Sequence, residues 1–231
     1  MKGLFSYDSP VMQILMYIGD LIILNFIYLL CCVPVFTIGA AQAGMYTAMR
    51  VLNDKEDDSS VSAAFFRGFA NGFGKVTLAW GLLTLVLVLV GAAAMLGYVF
   101  GLPMWLCIVS FALAALFHSL VPAFHSRFGC TAMQLIRNAW FLAVAHPLRS
   151  LGVALMLWLP VILFLTNTNI FMTATPVWGT LYFSTAFLFA ELLLRKPFQT
   201  LVDDFNEKHT PQLEEADEEK PEKIFSDTPV D

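Results

Sequence analysis

Three stretches of this chain carry no Asp, Glu, Lys or Arg: Asp20 to Arg50, Lys75 to Arg127, and Arg149 to Glu191, counting between the charges named. About 20 apolar residues suffice to cross a hydrocarbon core of roughly 30 Å. In lipid every backbone N–H and C=O must be bonded within the segment, so such runs are helices. Charged residues make up 13% of the 231 and hydrophobic ones 58%, whereas a soluble domain carries about 25% charge. The expected fold is all-α: a polytopic membrane helix bundle of about five transmembrane helices plus amphipathic interfacial helices.

Spans are predicted at about 14–36, 76–99, 103–124, 151–165 and 171–194, within an integral membrane helical domain of residues 1–200. Ala41-Gln42-Ala43 resembles a signal-peptidase site. The apolar region before it is far longer than a signal's core of about 7–15 residues, so the first span is read as uncleaved. Pro34 should end that span, and Thr37 should cap a second, small-residue-rich segment reaching Leu52. At about 22 Å that segment is too short for a full crossing. It is either an interfacial continuation or a half-membrane return, and the choice decides the side of the N-terminus. The charged loop 53–60 leads into a helix with Phe65, Phe69 and Phe73 on one face beside Phe66, flanked by Arg67 and Lys75. Membrane-surface binding and packing on another helix both fit that stripe.

The basic residues predict the threading. Arg50, Lys55, Arg67 and Lys75 fall in the first connection, Arg127, Arg137 and Arg149 in the third, and Arg195 and Lys196 after the last span. By the positive-inside rule these segments and the C-terminus are cytoplasmic, in a multi-pass protein of the cell membrane. Arg195-Lys196-Pro197 should stop the last helix. From Arg195 onward the chain has eleven acidic and five basic residues, so residues 201–231 read as an acidic, disordered cytoplasmic tail. No basic patch with interleaved aromatics supports nucleic-acid binding.

An internal two-fold repeat is suggested by Val61–Arg67 and Thr131–Arg137. Each is followed by a span, an uncharged turn, a Pro-x-Trp, another span and a closing base, Arg127 or Arg195. Two crossings per unit would make the repeats parallel.

Few residues offer chemistry. Gly68–Val76 mimics a phosphate loop but has Phe69 where that motif needs its first glycine and Val76 where it needs Ser or Thr. Four cysteines without a C-x-x-C give no metal signature, and no metal or other cofactor is expected. The candidate polar residues are Asp20, Asn25, His118, Arg137, Arg149 and Glu191. His118 and His125 lie two turns apart, too far to share a metal. Glu191 should pair with Arg195 one turn on, or inward with Arg149 or Arg137. No nucleophile with a base and no paired carboxylates occur, so an enzyme is not expected.

The opening Phe5-Ser6-Tyr7-Asp8-Ser9-Pro10-Val11-Met12-Gln13, the run Ile18 to Asn25, the block Cys31 to Ala41 and Phe65-Phe66-Arg67-Gly68-Phe69 resemble the YesL-like family of bacterial integral membrane proteins. The similarity extends over about 4–199. That family has no established biochemical activity, and its helix corresponding to 65–73 is often richer in Lys. Its members' common proximity to carbohydrate uptake and degradation functions implies a link to sugar transport. The resemblance therefore implies a non-enzymatic accessory or interaction protein with the lipid bilayer and a sugar transporter or sensor component as partners. The residues leave open a small permease with a path lined by Asn25, His118 and Glu191. Oligomeric state is not legible.

Overall fold

The computed structural model describes residues 9–54, 60–101, 103–128 and 130–218. The described chain is helical with no strand: α1 (Pro10–Cys31), α2 (Ile38–Asp54), α3 (Val61–Gly72), α4 (Lys75–Val99), α5 (Met104–Arg127), α6 (Ala132–Ala145), α7 (Pro147–Thr166), α8 (Thr168–Thr173), α9 (Thr175–Val177) and α10 (Phe183–Glu218). A π-helical turn, Trp178–Tyr182, joins α9 to α10. Five segments are long and apolar enough to cross a membrane: Val11–Cys31, Lys75–Val99, Met104–Arg127, Pro147–Thr166 and Thr175–Asp203. The predicted number of spans is met, with ends moved by a few residues. The chain divides into two compact units, Met1–Leu193 and Leu194–Asp231.

Local chemistry accounts for most helix ends in the first unit. Ser9 accepts from the Met12 N–H, with Pro10 at the first helical position, where its missing N–H costs nothing. Ser60 caps α3 by accepting from Ala63. Gln134 reaches back to the Thr131 N–H at 2.9 Å to open α6. Between α4 and α5, Gly101 takes φ +89°, a conformation that side chains with a Cβ rarely adopt. The first span stops at Cys31 rather than Phe36, because Pro34 leads into a one-turn 3₁₀ helix, Val35–Thr37. Thr37 does not cap α2 as expected. Its hydroxyl turns back and donates to the carbonyls of Cys31 and Pro34, satisfying acceptors left open at the end of α1.

The direction of each span follows from its contacts. Asn25 of α1 meets Ser184, and Tyr28, one turn later, meets Phe187, so α1 and α10 run parallel. Arg127 at the end of α5 pairs with Glu191 of α10. The end of α1, the start of α4, the end of α5 and residue 191 of α10 thus share one end of the bundle, the basic end. The chain leaves it through α4 and α7 and returns through α5 and α10. The segment 37–52 therefore does not cross back. The five spans put the start of α1 at the opposite end, where the turns between α4 and α5 and between α7 and α10 also lie.

At the basic end α2 forms a hairpin with α3. Ala40, Ala41, Ala43, Met45, Tyr46, Ala48 and Met49 are fully buried, so α2 is a core helix and not an interfacial one. Small residues allow this, as at membrane helix interfaces generally. A Cβ built on Gly68 would lie 2.4 Å from Thr47 Oγ1, and one on Gly44 would lie 2.8 Å from the Phe65 carbonyl. The phenylalanine stripe splits accordingly. Phe65 is fully buried in the hairpin, whereas Phe66 and Phe73 are exposed. Tyr28, Tyr46, Phe183 and Phe187 then tie α1, α2 and α10 together, with ring centroids 5.1–5.4 Å apart. The outer faces carry exposed Leu78, Leu82, Leu85, Val88 and Leu89 on α4 alone, a surface suited to lipid.

The order short helix, span, turn, span recurs as α3–α4–α5 and α6–α7–α10, matching the suggested repeat in sequence order. The two short helices differ in setting, since α3 packs chiefly on α2, which has no counterpart before α6.

In the second unit the expected stop at Arg195-Lys196-Pro197 does not occur. Helical backbone continues through Pro197 to Glu218. Residues 201–218 are thus helical where a disordered tail was predicted, and 219–231 lie outside the described residues. Glu, Gln, Lys and Ala are good helix formers, so a segment with no core to bury can extend a helix already nucleated.

Candidate functional site

The candidate residues within the membrane body fall into separate clusters, each consuming its own polar groups. Asn25 is fully buried. Its Nδ2 donates to the Trp178 and Gly179 carbonyls at 3.2 and 2.8 Å, and its Oδ1 accepts from Ser184 N–H at 3.2 Å. A π-turn displaces backbone groups from the regular ladder, and one amide from α1 provides donors and acceptor for them. In this arrangement Asn25 acts as a joint between helices.

His118, on α5, lies 3.1 Å by Nε2 from Thr84 Oγ1 of α4. Its ring sits between Trp80 and Trp158, centroids 4.6 and 5.5 Å away, and Trp158 Nε1 donates to the neighbouring Ser119 hydroxyl. This box joins α4, α5 and α7. Asp20 is half-buried on α1.

Glu191 is 3% exposed and forms an ion pair with Arg127, which is 16% exposed. The inward partner is thus a base on α5. Arg137 is exposed on α6, Arg149 lies in the first turn of α7, and neither reaches the acid. Tyr46 stands close to this pair. Burial, reinforced by the Glu191 carboxylate, lifts its phenol above the ordinary value, and its hydroxyl has no hydrogen-bond partner among the described residues.

None of these three clusters lines the polar cavity at the basic end. That cavity, about 260 Å³, is bounded by Thr47, Arg50 and Val51 of α2, Arg67, Gly68 and Asn71 of α3, and His125 and Ser126 of α5. Arg50 Nη1 donates to the Ser126 carbonyl at 2.7 Å, fixing the last turn of α5 against α2. The close approach at Gly68 brings Arg67 and Asn71 alongside Thr47 and Arg50. The His125 ring lies over Gly72, and its Nδ1 is buried without a partner among the described residues. Two guanidiniums, an imidazole, an amide and two hydroxyls line it among the described residues.

Sequence reading took Arg50 and Arg67 as topology signals, Arg67 also as a basic flank of the phenylalanine stripe, and set His125 aside as too far from His118 to share a metal. The signal available was the run of small residues around Ala43, Gly44 and Thr47 opposite Gly68 and Gly72, which marks two helices in close contact. No three His, Cys, Asp or Glu residues cluster as a metal site among the described residues.

No curated protein and no solved structure matches the chain. Residues 21–98, about a third of it, match the model of a family described as "Protein of unknown function, DUF624". The matched stretch carries Asn25, the whole α2–α3 hairpin and nearly all of α4.

Proposed function

We propose that this chain is a non-enzymatic accessory or interaction component of the cell membrane, associated with carbohydrate transport or utilisation, with its basic end and C-terminus cytoplasmic. The observation that carries the reading is the pairwise use of the interior polar groups. Asn25 joins α1 to the π-turn, His118 joins α4 to α5, and Glu191 joins α10 to α5. A permease path lined by the same three residues needs them to face one shared space, and instead each is turned to a different neighbour. The orientation rests on the clustering of Arg50, Arg67, Lys75, Arg127, Arg137 and Arg149 at one end. The carbohydrate link rests on the resemblance to YesL-like proteins, which belong to the DUF624 family.

Affinity purification from native membranes tests this. A stoichiometric transporter subunit retained in mild detergent is the expected result. Sugar uptake by vesicles containing this protein alone would overturn it in favour of the permease.

A further inference from the structure

We propose that the outward face of α6 is a lipid-binding surface, set in the boundary between headgroups and acyl chains at the basic end, with Arg137 turned to the lipid phosphates. The inference stands apart from the accessory reading, since it concerns the bilayer and not a protein partner. At 14 residues, α6 is about 21 Å long and too short to cross. One face, Leu135, Ala139, Leu142 and Ala143, is buried, and the helix packs on α4, α5 and α7. The opposite face carries Met133, Trp140, Phe141 and Val144, each 55–72% exposed. These four lie within about 100° of arc, with Arg137 among them. A helix that faces water carries polar residues on the side away from its core. This one presents large apolar side chains on both sides, and such a patch marks an interaction surface.

Depth and continuity select lipid as the occupant. The Trp140 ring stacks on Phe117 of α5, centroids 4.6 Å apart and planes 18° apart. Phe117 precedes Arg127, at the basic end of that span, by nearly three turns, about 15 Å of helix. The Trp140 ring therefore reaches below the level of the terminal base, into the layer where interfacial Trp residues gather. The exposed apolar surface of α6 runs on into α7 through Leu148, and then through Leu151, Leu155 and Leu159 along one face of that span. A span in hydrocarbon has lipid on such a face, and α6 extends it toward the headgroups. Arg137 is exposed, and its stem can lift the guanidinium to phosphate oxygens while its apolar neighbours stay among the acyl chains.

The test uses the full chain in vesicles of phosphatidylcholine and phosphatidylglycerol. Nitroxide labels are placed singly through Arg137→Cys, Phe141→Cys and Val144→Cys in a background without the native cysteines, with Asn167→Cys in the far turn as the water-exposed reference. Collision of each label with oxygen and with a water-soluble nickel chelate gives its depth. The labels at 141 and 144 should meet the chelate at least about tenfold less than the reference, and oxygen more, at about 5–10 Å below the phosphates. The label at 137 should lie shallower. A second measurement needs no label: lipids brominated near the headgroup end of the acyl chain should quench the native protein's fluorescence more than that of Trp140→Phe. Free access of the chelate to 141 and 144 would overturn the proposal in favour of a water-facing helix. Protection from both reagents would overturn it in favour of a protein cover, and relief of that protection on dilution with lipid would identify a second copy. Equal quenching of the native protein and Trp140→Phe would overturn it as well.

Discussion

Replacing Glu191 by Leu should destabilise the bundle by about 3 kcal/mol. Its side chain is 3% exposed and that of Arg127 is 16% exposed, so the pair is held away from water. Removing one partner of a buried pair costs about 3–5 kcal/mol, because the remaining charge stays buried without its counter-ion. Arg127 keeps some exposure and a long stem that can bend toward the surface, which places the cost at the low end. At 1.4 kcal/mol per decade this is roughly a 150-fold loss in the folding equilibrium. Glu191→Gln should cost less, about 1–2 kcal/mol, since an amide oxygen still accepts from the guanidinium. Arg127→Leu alone strands the acid and should match or exceed Glu191→Leu. The double replacement by Leu removes both charges and should recover at least about 2 kcal/mol of the summed losses, as apolar substitutes for buried pairs often do. Unfolding in mixed micelles, followed by tryptophan fluorescence, supplies all four corners of the cycle, and other contacts of the two residues cancel in it. Strict additivity, or a Glu191→Leu effect below about 0.5 kcal/mol, would refute the reasoning. An exchange of charges between Glu191 and Arg149 should restore nothing, since Arg149 does not reach the acid.

Asn25→Leu should cost about 2 kcal/mol or more by unfolding in the same micelles, since it leaves buried Trp178 and Gly179 carbonyls and the Ser184 N–H unpaired; Asn25→Gln, longer by one methylene, should rescue little. Gly68→Ala should cost about 1–3 kcal/mol by overpacking against Thr47, whereas Gly81→Ala, with nothing within 4 Å of the new Cβ, should be neutral or stabilising by up to about 1 kcal/mol in a helix interior; equal effects would argue against the hairpin contact. In a cysteine-free background a Cys at Asn167 should react with a membrane-impermeant thiol reagent added outside, and one at Asn71 should not; the reverse pattern would invert the proposed orientation. Deleting 203–231 should leave the melting temperature of the detergent-solubilised body unchanged within about 2 °C, because the segment is acidic and has no apolar face to bury.

What could be read from the sequence was whatever depends on the solvent. Charge-free runs fix where helices cross, and the placement of Arg and Lys fixes which connections share a side, because both are one-body preferences of each residue for lipid or water. The polar residues Asn25, His118 and Glu191 could be singled out for the same reason. Their partners could not. Arg127, Arg137 and Arg149 are equivalent as bases near span ends, and only the packing of α10 on α5 selects Arg127. The partners of Asn25 are backbone groups of a π-turn, and no side-chain pattern announces them. Thr37 misled for a related reason. A hydroxyl between two helices can serve the end of the first or the start of the second, and the geometry of the Pro34 turn decided for the first.

The larger miss was α2, a short and small-residue-rich segment read as either an interfacial continuation or a half-membrane return. Those same properties make it the centre of the fold. Membrane helices gain little from hydrophobicity against one another, since lipid is as apolar as Leu, and they associate where small residues let backbones approach. Ala43, Gly44 and Thr47 give α2 such a face, and Gly68 and Gly72 give α3 the complement. Met45, Tyr46 and Met49 are fully buried as well, and the Tyr46 ring packs edge-on against Phe187 of α10. A hairpin held this closely also shapes the cavity lined by Arg50, Arg67 and His125. The stretch that matches the family model, 21–98, contains the hairpin entire, and it brings Arg50 and Arg67 but leaves His125 and Ser126 to the following span.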